Sequence, residues 1–379
     1  MAQQLNAQQM QQLNMINRQR VLMTGISMIK RLQPITANFG DGIIKIPLLR
    51  MGIMTGVLLQ VTVPVVIATA PAVPSPVAPW NIGQVVSYVD FAGVSRTRTH
   101  GFQLWAAQSM KQGDALSAIP ASNYATGAGP SLNAVTNVLN MPTAVGAGEI
   151  TFSIYLPMAY DPDSDLTGAV LTQTNVGEHY VNFQLPASLV APDPWVAPYI
   201  SGAVTSGGAT RIEAFQYYIQ PQSISDQDLP FLDLSTVYGF EGAIQNSANI
   251  VTGNSVYMNY PNNRSVLSAL FNYENGSTFN VNGSDVNGII LQANSNTNFR
   301  EMSPRLIKET MRNVANSDLP GGSYFLSSRR QPIMTQLYAN VQARFDLGTV
   351  IAGGSTQIVS QFEVQYASGA PLPGITVAS

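Results

Sequence analysis

The sequence contains no cysteine among its 379 residues, so it forms no disulfide, offers no thiolate to a metal and has no thiol nucleophile. Its two histidines, His100 and His179, lie far apart in the chain, and a metal-dependent cupin-type enzyme is hard to build without a third. The motifs G-x-x-x-x-G-K, H-E-x-x-H, G-x-S-x-G and G-x-G-x-x-G are also missing. These absences predict a protein that is not an enzyme and binds no cofactor or metal.

Charge is the second scarce property. Charged residues make up 10% of the chain, against roughly 25% in an ordinary soluble domain. The net charge is only -3 and the isoelectric point is near 5.4, so no basic field attracts nucleic acid to the folded body. We therefore expect no direct contact with a genome. The 31 glycines and 24 prolines that accompany this low charge favour strands and turns over long surface helices.

Residues 51–89 contain no charge at all and could be mistaken for a membrane helix. Gln60 and Pro64 interrupt the segment, and the apolar residues around Gln60 and Thr62 alternate with a period of two. β-Branched side chains dominate it, as they do in strands. The segment is therefore predicted to form strands, followed by a proline-rich surface loop at 71–79.

Alternation typical of half-buried strands recurs along the chain, and strands of this kind stack into sandwiches or barrels. The clearest segments are 149–156, 180–185, 337–346 and 358–366. Two internal helices are predicted, one at about 99–112 and one that begins with Ser303 as N-cap and Pro304 in its first turn. One helix in each half is a weak sign of a duplicated architecture.

The N-terminal region is basic although the whole chain is not. Residues 1–23 form a glutamine-rich arm that approximates a marginal helix. Its apolar face is predicted to consist of Ala2, Leu5, Leu13, Ile16 and Met23. The region's cations all precede the first acidic residue of the chain. They are Arg18, Arg20, Lys30 and Arg31. These four residues are our candidates for an arm that faces an anionic membrane surface, with a solvated charge cluster as the alternative.

Two further groups of residues are candidates for binding sites. Trp80 and Trp195, each next to a proline, have the character of a sugar-stacking platform or of loop anchors, and the second is favoured. Asp161, Asp163 and Asp165 have the spacing that begins a calcium loop. The positions that follow lack the glycine and the glutamate of such a loop, so a solvated turn is favoured over an ion site.

Several segments resemble the major capsid protein of the tectiviruses, which are membrane-containing icosahedral bacteriophages. These segments are 156–160 leading into 165–171, 229–238, Lys111-Gln112-Gly113, and Asp318-x-Pro320-x-Gly322-x-Tyr324. The resemblance extends from the arm to about Tyr366. It implies an all-β fold of two eight-stranded antiparallel jelly-roll barrels side by side, with few short helices and an N-terminal helical arm.

The resemblance also implies a function and a set of partners. We expect a major capsid protein whose homotrimers form pseudo-hexameric capsomers of an icosahedral virion around an internal membrane, made in the cytoplasm of a bacterial host. Its partners would be neighbouring capsomers, vertex and minor capsid proteins, and the membrane through the arm. The alternative is a jelly-roll carbohydrate-binding protein of the spike or lectin type, with Trp80 or Trp195 as its platform.

The domain organisation combines this resemblance with a polar break near residues 225–230. We expect an arm at 1–23, a first jelly roll at 24–228, a second at 229–370 and a C-terminal tail at 371–379.

Overall fold

The computed structural model describes residues 7–112, 141–173, 177–222, 234, 236–247, 255–275, 278–279, 286–294, 297–315, 319, 322–348 and 356–367. The helices within these ranges are α1 (Ala7–Thr24), α2 (Gly101–Gln112) and α3 (Pro304–Ala315). The strands before residue 223 are β1 (Ile26–Arg31), β2 (Ile35–Ala37), β3 (Ile43–Pro47), β4 (Ile53–Pro74), β5 (Val85–Val89), β6 (Ser95–Thr99), β7 (Gly146–Pro157), β8 (Val170–Leu171), β9 (Tyr180–Gln184), β10 (Tyr199–Ser206) and β11 (Thr210–Gln220). Those after it are β12 (Thr236–Ser247), β13 (Ser255–Asn259), β14 (Ser265–Asn275), β15 (Thr278–Phe279), β16 (Val286–Ala293), β17 (Thr297–Met302), β18 (Ser323–Ser327), β19 (Ile333–Met334), β20 (Val341–Leu347) and β21 (Thr356–Ala367).

The strands of the N-terminal half form two sheets, each four strand positions wide. The first sheet is built around β4: β10 and β11 pair one after the other along one edge of it, and β7 and β8 pair along the other edge. β1 and β2 pair one after the other along the far edge of β11. The second sheet has the order β3-β9-β5-β6. Alternate residues of β4, among them Val57, Leu59 and Val61, are fully buried between the sheets. Each such side chain contributes roughly 1.5–3 kcal/mol of burial free energy.

The C-terminal half repeats this plan. One sheet has the order β12-β21-β14, with β18 and β19 on the far side of β14, and the other has the order β13-β20-β16-β17. If the strand positions of each half are numbered 1 to 8 along the chain, the sheet orders in both halves are 1-8-3-6 and 2-7-4-5. In both halves one helix, α2 or α3, lies between positions 5 and 6. This is the strand order of a jelly roll, so the predicted pair of eight-stranded barrels is confirmed.

Local predictions agree well with the structure where one face of a strand or helix is buried. β7 and β9 alternate as expected, and residues 51–89 form strands β4 and β5 rather than a membrane helix. The predicted proline-rich surface loop at 71–79 is wrong, because β4 continues to Pro74 and residues 75 and 77–79 are buried. The α3 helix begins as predicted, because the Ser303 hydroxyl accepts a hydrogen bond from the Leu306 N–H at 3.2 Å. Within the described residues, no helix has the length and hydropathy needed to span a bilayer.

One predicted strand is shorter than expected. The alternation from Leu337 predicted a strand over 337–346, but Thr335–Leu337 is a 3₁₀ turn and β20 begins at Val341. Leu337 is 68% exposed, so its apolar character does not mark the core. The period-two pattern continued by chance across a turn.

The N-terminal helix packs differently from its predicted face. Ile16 is 50% exposed and Met23 is 86% exposed, whereas Asn17 and Val21 are buried, so the expectation that Ile16 and Met23 share a contact face is wrong. Val21 belongs to a small core cluster with Ile53 and residues of the 159–169 loop. The end of the arm is therefore anchored on its own barrel by a face one residue away from the predicted one. Ala2 and Leu5 lie outside the described residues.

The predicted domain boundary at residue 228 falls in a segment, 223–233, outside the described residues, as does the tail at 371–379. Both stay predictions. The described strands on either side, β11 and β12, belong to different sheets.

Candidate functional site: the interface between the two barrels

The two barrels are joined edge to edge by a parallel strand contact. The position 5 strand of the first barrel, β6, lies beside the position 1 strand of the second, β12, with Arg98 in register with Glu241. The Phe240 N–H donates to the Thr97 hydroxyl at 3.3 Å. Gly239 makes this approach feasible, since a Cβ there would collide with the carbonyl of Arg96. A single ten-stranded sheet therefore passes through both barrels.

A buried polar cluster lies beside this contact and is centred on Lys111, in the last turn of α2. Its ammonium group donates to the Tyr160 carbonyl of the first barrel and lies 3.3 Å from the Tyr238 hydroxyl of the second. It also lies 4.1 Å from the ring centre of Tyr160 and 4.8 Å from that of Tyr238. One side chain thus holds elements of both barrels.

Glu363, on β21, is the acceptor at the centre of this cluster and is only 1% exposed. It accepts hydrogen bonds from Tyr238 at 2.8 Å, from Ser268 at 2.6 Å and from Arg329 at 2.9 Å, and Lys111 lies 3.8 Å away. Two cations therefore share one carboxylate. Burial lowers the pKa of Lys111 to about 8, with Glu363 acting against the shift and Arg329 adding to it.

A second buried ion pair joins Glu241 on β12 to Arg264, the residue before β14. Arg264 is fully buried, its Nε donates to Glu241 at 2.7 Å, and its guanidinium carbon lies 3.9 Å over the ring of Tyr366. Burial raises the pKa of Glu241, and Arg264 partly offsets that shift. Buried pairs of this kind fix geometry, because breaking one leaves a charge without compensation.

The two tryptophans considered as a sugar platform are both buried, so that alternative is wrong. Trp80 stacks on Trp105 with ring centres 3.7 Å apart, and Trp195 is 5% exposed. Trp195 contacts the second barrel at Glu274, whose pKa is raised to about 7 by burial, while hydrogen bonds from Gln357 and Trp195 act against the shift. The loop-anchor interpretation is confirmed, and Trp195 also belongs to the interface between the two barrels.

Comparison with protein families decides what this architecture belongs to. Residues 2–222 match the family P3 major capsid protein N-terminal, and residues 235–368 match P3 major capsid protein C-terminal. The chain belongs to the P3 major capsid protein family. It is a major capsid protein, a structural subunit of the virion shell rather than an enzyme, and it assembles with neighbouring subunits. The resemblance to the tectivirus-like capsid lineage is confirmed.

Solved capsid structures share the fold of this capsid protein at low sequence identity. The STIV MCP, from Sulfolobus turreted icosahedral virus, has a TM-score of 0.66 at 12% identity, over 90% of this chain and 97% of that one. VP54 of PBCV-1 has a TM-score of 0.60 at 11% identity, over 93% and 98%. The major capsid protein P2 of bacteriophage PM2 has a TM-score of 0.51 at 8% identity, over 91% and 99%. No curated protein sequence gives a significant match.

The predicted membrane-facing cations of the capsid protein are divided between two elements. Arg18 and Arg20 lie on α1, whereas Lys30 and Arg31 lie on β1 and belong to the first barrel rather than to the helical arm. Arg31 pairs with Glu213 on the neighbouring strand at 2.8 Å. The four residues therefore do not form one helical surface.

The aspartates considered as ligands of a calcium ion form a compact turn. Asp161 and Asp165 exchange backbone hydrogen bonds, and the Asp165 carboxylate accepts from the Thr167 N–H at 2.9 Å and the Thr167 hydroxyl at 2.7 Å. The Asp161 carboxylate accepts from the Asp163 N–H and the Ser164 hydroxyl. These local bonds describe a self-capped turn. In the described part of the chain, no three acidic or histidine side chains cluster as they would around a metal.

The interface of the capsid protein brings together segments that were recognised only as separate motifs. Lys111, Tyr160, Gly168 and Tyr238 come from three different segments of the family resemblance, and a Cβ on Gly168 would collide with Tyr238. The charged partner Glu363 was missed. Glu363 is the only charged residue of β21, but the alternation places it with Gln361 and Gln365 on the polar side of the strand, so no pattern in the sequence indicated its burial.

Proposed function

We propose that this capsid protein forms homotrimeric, pseudo-hexameric capsomers of an icosahedral shell around an internal membrane, with vertex and minor capsid proteins as further partners. The duplicated jelly roll is the observation that carries the proposal. A trimer of such chains contains six barrels of one topology, so threefold symmetry fills a nearly hexagonal footprint.

The polar cluster suits a shell subunit because it fixes one barrel against the other. Lys111 and Glu363 connect α2 to β21, and the β6–β12 contact adds backbone pairing at the same place. A hexagonal lattice requires each subunit to present its outer faces at a constant angle. A rigid interface between the barrels meets this requirement, whereas a flexible linker alone does not.

The arm is proposed to contact the membrane. Met23 and Ile16 are exposed on α1, and Arg20 is exposed beside them, so the helix presents apolar and cationic groups together. Such a combination suits an anionic lipid surface, to which each cation contributes about 1 kcal/mol. Many arms in one shell would bind through their high effective concentration.

The oligomeric state tests the capsomer. Light scattering of the purified chain should give about 122 kDa, three times the 40.6 kDa of one chain. A folded monomer at micromolar concentration, with circular dichroism typical of β structure, would contradict the proposed trimer.

Vesicle binding tests the arm. A chain that lacks residues 1–12 keeps the buried Asn17 and Val21, so it should melt at nearly the same temperature as the full chain. It also keeps the exposed Ile16, Arg20 and Met23, so it is the matched control and should sediment with vesicles that contain phosphatidylserine as well as the full chain does. Arg20→Gln in the full chain should weaken that binding roughly fivefold. Equal binding to neutral and anionic vesicles by all three proteins would refute a membrane role for the arm.

A further inference from the structure

The contact between the two barrels uses one strand from each, and the equivalent strands at the outer ends of the subunit are open. Position 5 of the first barrel (β6) pairs with position 1 of the second (β12). Position 5 of the second barrel is β17, which pairs only with β16 among the described residues. Position 1 of the first barrel begins with β1, which pairs only with β11 among them. The subunit therefore carries the two halves of a second contact of the same kind.

The exposure of these two strands is unusual for a barrel. All six residues of β1 are exposed, including Ile26, Met28 and Ile29. In β17 four of the six residues are exposed and the other two are half-buried, and Phe299 is 41% exposed. Open strands with apolar side chains tend to pair with another chain. Their apolar surface is suited to burial against a partner rather than to solvent.

The charges on the open strands complement each other. Arg98 is the third residue before the start of α2, and Glu301 is the third residue before the start of α3, so the two residues occupy the same place in their barrels. Inside the subunit Arg98 lies in register with Glu241 on the position 1 strand. At the open ends the signs are reversed, with Glu301 on position 5 and Lys30 on position 1. A contact of the same kind between two copies would again bring unlike charges together.

The helices α2 and α3 differ in exposure in the same way as the strands β6 and β17. Every residue of α2 from Gly101 to Met110 is buried, with β7 and residues Trp80–Ile82 of its own barrel on one side and α3 of the second barrel on the other. In α3, which has the same place in the second barrel, Arg305 and Leu306 are exposed. The second barrel thus lacks, in a single chain, the cover that it provides for the first.

We propose that β17 of one subunit docks in parallel against β1 of a second copy of this chain, with Glu301 near Lys30, and that three such contacts close the trimer. The contact repeats the β6–β12 contact within the subunit, and it rests on the trimer proposed above. It is a heterologous interface, in which the two copies contribute different surfaces. Such an interface closes into a ring when the rotation between successive copies is a whole fraction of a full turn.

Engineered cysteines test the contact directly, because the chain has no cysteine of its own. Lys30→Cys or Met28→Cys, each combined with Glu301→Cys, places a thiol on each strand, and a disulfide forms only if the Cα atoms approach to about 7 Å. At least one pair should give a covalent trimer after oxidation on a non-reducing denaturing gel. The single variants should give no trimer band.

The matched control combines Lys30→Cys with Ser255→Cys on β13, the opposite edge of the same sheet as β17. This pair should stay uncrosslinked. Crosslinking by the control pair, or by neither Glu301 pair in a protein that light scattering shows to be trimeric, would overturn the assignment of these edges while the trimer stands. A monomer by light scattering would instead overturn the trimer and this contact together.

Charge exchange gives an independent measurement. Lys30→Glu and Glu301→Lys should each weaken trimer association by roughly fivefold per contact, and the double variant should restore it. Because both residues are exposed in the single chain, neither variant should change the circular dichroism spectrum. Equal association of both single variants and the parent chain would count against the contact.

Discussion

The two barrels of the subunit share one strand order and one helix position, yet their surfaces differ. Residues 101–110 of α2 are buried, whereas half of the described side chains of α3, at 304–311, are exposed. β6 has a neighbouring barrel, while β17 has none among the described residues. The same architectural place is therefore interior in one barrel and exterior in the other. The difference teaches that exposure in this chain depends on which neighbour is present, and it identifies the surfaces that a second copy would cover.

Glu363 gives the largest expected effect, because it connects the barrels inside the subunit. Glu363→Gln leaves Lys111 and Arg329 buried without a counter-charge, and we expect a loss of about 3–5 kcal/mol in the free energy of unfolding. Urea unfolding at a fixed protein concentration measures it. Glu309→Gln on the exposed face of α3 is the control and should cost less than about 0.5 kcal/mol. Equal effects of the two variants would show that the interface between the barrels contributes no more to stability than the exposed face of α3.

The two helices can be compared by the same truncation in each. Leu104→Ala in α2 removes a fully buried side chain and should cost about 2–5 kcal/mol. Leu306→Ala in α3 removes one that is 52% exposed and should cost less than about 1 kcal/mol. Thermal unfolding of both variants tests this order. A Leu306→Ala effect that grows with protein concentration would sharpen the comparison, since it would report cover by a second copy.

Gly168 tests how closely the barrels approach. Gly168→Ala places a methyl group against Tyr238 of the second barrel at a positive φ of 88°, and we expect a loss of about 2–4 kcal/mol. Gly93→Ala is the matched control, because Gly93 has a similar φ of 76° but open space around it. It should lose only about 1 kcal/mol. If both variants unfold at the same denaturant concentration, the close packing against Tyr238 does not constrain the interface.

Glu274 gives the smallest expected effect, which depends on pH. Its pKa is raised from 4.5 to about 7 in the fold, so the unfolded chain releases this proton at lower pH than the folded chain does. The folded chain then binds more protons between these values, and its stability falls as pH rises from 4.5 to 7, by about 2–3 kcal/mol at most. Glu274→Gln should flatten this part of the stability profile. If stability falls with pH equally steeply in the variant, a group other than Glu274 binds this proton.

The sequence predicted those parts of the fold that depend on neighbours along the chain. The alternation in β7 and β9 and the Ser303 cap of α3 were readable because each reflects one buried face or one local hydrogen bond. The same reasoning failed at Leu337, where the alternation ran into a turn, and at the face of α1, where Val21 rather than Ile16 is buried. Local pattern does not show where a partner surface lies.

The candidate site was only partly predictable. Lys111, Tyr160 and Tyr238 stood in segments that resemble the capsid family, but nothing in their order along the chain shows that they meet. Glu363 and Arg329 complete the cluster from the second barrel. Their convergence depends on strand pairings that span much of the chain, and such pairings are fixed by the packing of whole sheets.

By itself, the sequence determined that the chain is rich in strands, carries little charge and has one internal helix in each half beside the helical arm. The tertiary structure alone decided which strand edges are joined inside the subunit and which are left open. The reason is physical: alternation depends on one strand and the face it buries, whereas edge pairing depends on the position of every strand in the sheet. β6 and β17 are both short strands in front of a helix, and the fold gives only β6 a neighbouring barrel among the described residues.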